Sequence, residues 1–143
     1  MKKTLFALLF SFAASIAQAL PDAATVRQLA AEDSDQKIAA IQALALTADP
    51  DALAILQALG EDRLYADGQQ LFIKQADETT TDATTGKPAV APDTAQSINL
   101  NNRIRSELAN AIAALQLFTP DRDTRIKAAK ELQSNAGPEL APL

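Results

Sequence analysis

The residues whose types sit most oddly for their position are Asn101, Asn102, Arg103 and Arg105, inside the stretch SINLNNRIRSELANAIAALQL at residues 97–117. A guanidinium presents a planar fork of donors suited to carboxylates, phosphates and backbone carbonyls. Asparagine ahead of a helix accepts from a free backbone N–H of the first turn. One cap needs only one asparagine, however, and the positive end of the helix dipole disfavours cations in the first turn. The spacing therefore predicts that a fixed acceptor holds the arginines. The expectation is a structural latch in which Arg103 and Arg105 bridge carbonyls of the preceding segment or pair with Glu61, Asp62 or Asp67. One asparagine would cap the helix and the other would satisfy backbone groups. The alternative is that these four residues contact a ligand or partner.

Other chemistry is thinner. Asp82 to Lys87 reads DATTGK, similar to the end of a phosphate-binding loop, but it lacks the leading glycine and a following helix that such a loop needs. Asp49, Asp51, Glu61, Asp62, Asp121 and Asp123 offer carboxylates for metal or acid–base work. At helix joints, though, Asp is far more often a cap. Tyr65 and Phe72 are expected to pack as a cross-strand pair rather than line a cleft. The chain contains no cysteine and no histidine, which excludes Ser-His, Cys-His and His-zinc sites. No catalytic residue, cofactor or metal site is expected.

The elements that would position these residues are mostly helical. Of 143 residues only 4 are glycine and 4% are aromatic, and alanine and leucine dominate, a composition suited to close helix packing. LPDAATVRQLAAED predicts a short helix with Pro21 at its first position and Asp22 beside it, and with Val26 and Leu29 on one face. In DSDQKIAAIQALAL, Asp33 caps, and Ile38, Ile41, Leu44 and Ala45 recur at helical spacing. In DPDALAILQALG, Asp49 caps, Leu53, Leu56 and Leu59 form a stripe, and Gly60 is expected to end the helix in a left-handed conformation. Between the helical parts, RLYADGQQLFIK places Asp-Gly between apolar pairs, a hairpin signal. A polar loop follows, with a second turn at residues 84–88.

Residues 121–143 also align with residues 33–56. Asp33 falls on Asp121, Asp35 on Asp123, Lys37 on Arg125, Ile38 on Ile126, Ala40 on Ala128 and Leu44 on Leu132. The pattern resembles a short HEAT-like repeat, a helix pair that needs stacked neighbours to bury its apolar face. The expected fold is therefore mainly α, a HEAT-like α-solenoid interrupted by a small β-hairpin insertion. Its divisions would be HEAT-like helices at 20–60, hairpin and loop at 61–100, and HEAT-like helices at 101–143, the last repeat stopping partway.

The first nineteen residues, MKKTLFALLFSFAASIAQA, have the positive start, short apolar stretch and Ala-x-Ala ending of a secretory signal. The apolar stretch is shorter than the roughly 20 residues a membrane span needs. Cleavage would leave a chain starting near Leu20, periplasmic or on the extracytoplasmic face of a bacterial inner membrane. Loss of Lys2 and Lys3 makes that chain more acidic than the formal −5 of the whole, which disfavours nucleic acid and anionic lipid as partners.

Taken in order, the signal, the helix pair, RLY at residues 63–65, DATTGK, Asn101-Asn102-Arg103-Ile104-Arg105 and RIKAAKEL at residues 125–132 resemble the extracytoplasmic N-terminal region of the urea ABC transporter permeases, of the branched-chain amino acid permease class. The resemblance covers the chain from Leu20 onward. It implies a structural or docking module whose partners are other urea transporter subunits, a partner permease and a periplasmic binding protein. In that family a multi-span membrane part follows this region. No such span lies within these 143 residues, so membrane contact would come only through a part beyond them. The alternative is a stand-alone periplasmic HEAT-like adaptor. An enzyme of the HEAT-like bilin lyase type finds no convergent side-chain set here.

Overall fold

Each helix begins where a short polar side chain takes up a free N–H of its first turn. In a computed structural model that describes residues 21–135, Asp22 accepts from the Thr25 N–H and opens α1 (Ala23–Gln28). Asp33 accepts from Gln36 N at 2.8 Å and opens α2 (Ser34–Ala45). Asp49 accepts from Asp51 N and opens α3 (Pro50–Gly60), with Pro50 in the first turn. The chain then forms β1 (Leu64–Asp67), β2 (Gln70–Lys74), β3 (Thr80–Asp82) and β4 (Gln96–Ser97). It closes with α4 (Asn102–Gln116) and α5 (Arg122–Asn135). The expected signal at residues 1–19 and the start of the last repeat's second helix, residues 138–143, lie outside the described residues.

The end of α3 differs from expectation. Gly60 stays inside the helix, and Asp62 takes the left-handed conformation instead, at φ +56°. Arg63 N donates back to Ala58 O at 2.8 Å and Asp62 N to Leu59 O at 3.3 Å, the paired bonds of a Schellman stop. Aspartate tolerates this conformation better than most residues with a side chain.

The solenoid expectation is overturned. Residues 61–100 form more than an inserted hairpin: β3 and β4 add to it on either side, giving a four-stranded antiparallel sheet in the order β3-β2-β1-β4. The fold is mixed α and β, and no solenoid repeat is evident. Within the sheet Leu64 lies opposite Ile73, Tyr65 opposite Phe72 and Ala66 opposite Leu71. Because side chains alternate across a strand, Leu64, Ala66, Leu71 and Ile73 share one face. That face meets the helices: Leu64 and Leu71 belong to one core cluster with Ile41, Leu44, Leu56, Leu59, Ile98, Ile104 and Leu108. Helices and sheet therefore cover each other, and neither needs a stacked repeat to bury its apolar side.

The helix arrangement also departs from stacked pairs. Asn101 meets Ser34, Arg103 meets Asp35 and Glu107 meets Gln42, so α4 advances in parallel with α2. The aligned copies consequently sit in different surroundings. Ile38 is 6% exposed on α2, between neighbouring helices, whereas Ile126 is 40% exposed on α5, which among the described residues packs mainly on α4. Lys37 reaches Asn99 O, while its counterpart Arg125 donates to Thr119 O and Pro120 O at the end of α4. What the copies share is cap chemistry and one buried alanine, Ala40 and Ala128. Those are requirements of any packed helix with an Asp cap.

Candidate functional site

The start of α4 explains its own composition. Asn101 is the cap, accepting from Ile104 N at 2.9 Å, and its amide Nδ2 donates to Ser34 Oγ at 3.0 Å. Two helix N-termini, α2 and α4, therefore lie side by side. Asp35, in the first turn of α2, pairs with Arg103 through Nη1 at 2.7 Å. The carboxylate favours the α2 dipole and at the same time offsets the guanidinium that α4 alone would disfavour. Arg105 approaches Asp62 at 3.7 Å, an ion pair beyond hydrogen-bond length. Asn102 is exposed and forms no side-chain hydrogen bond among those described.

Arg103 thus ties α4 to α2 and does not reach the hairpin. Arg105 ties α4 to the Schellman stop just ahead of β1. Of the other expected acceptors, Glu61 pairs with Arg63 and Asp67 takes the Thr94 hydroxyl. The Arg103 and Asp35 side chains are 67% and 76% exposed, so water screens the pair and its net worth falls to about 0–1 kcal/mol. Arg103→Ala and Arg105→Ala are accordingly expected to cost no more than about 1 kcal/mol each. Asn101→Ala should cost about 1 kcal/mol or somewhat more, and Asn102→Ala close to nothing. Urea titrations of the four variants give the check; a loss beyond about 2 kcal/mol at Arg103 would mean the pair is far better shielded than its exposure indicates.

The second motif is also occupied with its own backbone. Asp82 Oδ1 accepts from Thr84 N, Thr84 Oγ1 and Thr85 N at 2.7, 2.6 and 2.9 Å, and Gly86, at φ +66°, donates to Asp82 O at 2.8 Å. DATTGK is a closed turn at the end of β3: the N–H groups of Asp82, Thr84, Thr85 and Gly86 are taken up within it, and that of Ala83 by Leu71 O on β2. Of the six carboxylates noted at helix joints, Asp49 and Asp121 accept from first-turn N–H groups, and among the described residues no cluster of three or more acidic side chains suits a metal ion.

Beside the paired helix starts lies a feature that sequence patterning passed over. A cleft of about 610 Å³ is lined by Ser34, Lys37, Asp67, Asn99 and Asn101, among others. Lys37 is only 6% exposed. Its Nζ donates to Asn99 O at 3.0 Å, and no carboxylate pairs with it among the described residues. Burial without a counter-charge pushes the ammonium pKa down. The signal was present in the spacing: Lys37, Ile41 and Leu44 fall on one helix face, so a cation stood in the buried stripe of α2. Of the four residues singled out from sequence, Asn101 reaches this cleft. Arg105 instead borders a shallower groove with Gln57, Gly60, Glu61, Leu108 and Ile112.

Comparison with protein-family models, with curated proteins and with solved structures finds no match. Among the described residues no helix is long and apolar enough to cross a membrane.

Proposed function

We propose that this chain is an extracytoplasmic docking module of a urea ABC transporter of the branched-chain amino acid permease class, with a structural rather than catalytic role. The sequence support is the ordered set of motifs that carry the resemblance. The structural observation behind docking is an apolar end. Leu46 is 87% and Phe118 68% exposed, with Leu117 beside Phe118. Ala48, Pro50, Leu53, Leu115 and Phe118 line one shallow hollow of about 150 Å³, which brings the α2–α3 and α4–α5 connections together. Large apolar side chains grouped on a surface favour contact with another protein, and aromatic anchors carry much of the energy of such contacts.

The test is a photo-crosslinking residue at position 118 of the chain in bacteria that express the whole transporter. Adducts to a permease or to the periplasmic binding protein are expected, and Leu46→Ser should weaken them without lowering the melting temperature, because an exposed side chain contributes little to folding. Adducts confined to proteins outside the transporter, or none at all, would overturn the proposal.

A further inference from the structure

The cleft beside the paired helix starts lies at the opposite end of α2 from Leu46, a helix of 12 residues and so about 18 Å long. Its chemistry is unlike that of the docking end. An ammonium offers three donors, and Lys37 uses one of them, on a neutral carbonyl. A buried cation with no counter-ion is costly, and a bound anion relieves that cost. Ser34 and Asn101 stand on the same wall, and because Ser34 Oγ accepts from the Asn101 amide, the serine hydroxyl proton is left to donate outward. Both helices begin there, so their positive ends add to the preference for negative charge.

The lining also carries the opposite sign. Glu32 and Asp67 also line the cleft, and Asp67 Oδ1 takes a single hydrogen bond, from Thr94. A simple anion would meet two carboxylates on a chain of net charge −5. A simple cation would meet Lys37. A solute that carries both a carboxylate and an ammonium satisfies both kinds of group. The cleft volume of about 610 Å³ lies within the roughly 300–1,000 Å³ usual for small-ligand sites.

We propose that the cleft binds a small zwitterionic solute, an α-amino acid, with its carboxylate on Lys37 and Ser34 and its ammonium toward Asp67 and Glu32. The site stands apart from the docking end, and binding to the purified chain is measured without any transporter subunit, so the two proposals fail separately.

Calorimetric titration of the full chain tests it with three probes: L-glutamine, glutaminol, which lacks the carboxylate, and 4-carbamoylbutanoate, which lacks the ammonium. Saturable binding of glutamine is expected, with each truncated probe at least about tenfold weaker, the effect of one lost charge-assisted contact. Lys37→Met keeps the buried stem and removes the charge, so it should fold and bind glutamine at least about tenfold more weakly. Asp67→Asn gives an independent check should Lys37→Met fail to fold: it is expected to weaken glutamine while leaving 4-carbamoylbutanoate unchanged. Absence of saturable glutamine binding overturns the proposal. So does equal binding of inorganic phosphate, which would mark Lys37 as a bare anion hook, and so does undiminished glutamine binding by a folded Lys37→Met variant.

Discussion

Leu71→Ala is expected to destabilise the whole described fold by about 3 kcal/mol, in a single transition that includes the helices. Leu71 sits on β2 and is fully buried, in the same cluster as Leu56 and Leu59 of α3, Ile41 and Leu44 of α2, and Ile104 and Leu108 of α4. Truncation removes the transfer energy of the lost side-chain atoms and leaves a cavity that close-packed neighbours fill only in part. Two probes separate a shared core from an independent insertion. Tyr65, the single tyrosine in a chain without tryptophan, lies on β1 directly opposite Phe72 and reports on the sheet by fluorescence. Far-ultraviolet circular dichroism reports mainly on the helices. In urea both signals should move to the same lower midpoint, as two-state unfolding of one core requires. A variant whose tyrosine transition shifts while the helical transition stays in place would show the sheet to be a separate unit, and the single-core description would fall.

That same shared core marks the boundary of what the sequence could show. Helix starts were legible at Asp33 and Asp49, and at the Asn101–Asn102 pair without deciding between the two, because a cap is local chemistry, set by residues two or three positions apart. The first helix was expected to start at Pro21, whereas Asp22 caps it and Ala23 begins it. The β1–β2 pairing was legible around Asp67-Gly68 for the same reason, a turn signal flanked by apolar residues. β3 and β4 were not. Gln96 and Ser97 are polar and exposed, and they become a strand only because Tyr65 and Ala66 lie alongside. Nothing in their own types carries that pairing, since strand preference depends strongly on the neighbours available.

The apparent repeat misled in an instructive way. Asp at the cap, a basic residue four positions on and alanine at the buried contact satisfy helix formation wherever the helix is packed. The match of residues 33–44 with 121–132 therefore constrained local structure and left stacking undetermined. The environments of Ile38 and Ile126 decided the fold, and they depend on where α4 comes to rest. At the site, a cap at the Asn101–Asn102 pair was legible, though not which asparagine serves, and the acceptor for Arg103 was not legible, because Asp35 is distant in sequence and meets it only when α4 lies parallel to α2. Lys37 was read only as a repeat position, although its spacing from Ile41 and Leu44 put a cation on the buried face of α2. Its lack of a counter-ion among the described residues, like the cleft around it, is a property of the assembled fold.

The acid side of the stability profile should be governed in part by Asp82. Burial alone would raise its pKa, but the Thr84 hydroxyl and the Thr84 and Thr85 N–H groups favour the charged form more strongly and hold it below the ordinary carboxylate value. Those bonds close the turn that lets Asp82 sit opposite Phe72 in the β2–β3 register. Asp82→Ala removes the acceptor and leaves three donors to water, with an expected loss of about 2 kcal/mol at neutral pH, discounted from the upper range because the turn is half open to solvent. The sign of the pH effect follows from linkage: a carboxylate with a folded-state pKa below its unfolded value of about 3.9 contributes fully above that value, and the contribution is lost as pH falls through the folded pKa. Asp22, Asp77 and Asp121 are lowered in the same direction by hydrogen bonds from Thr25, Thr79 and Thr124, so wild-type stability should be level at neutral pH and fall below about pH 4. Asp82→Asn keeps an acceptor but not its charge. Its unfolding free energy should start lower at neutral pH, decline less steeply below about pH 4, and converge on wild type in strong acid. Urea unfolding at a series of pH values checks this, and an Asn variant that retained both the neutral stability and the full acid slope of wild type would show that the Asp82 charge does not hold the turn.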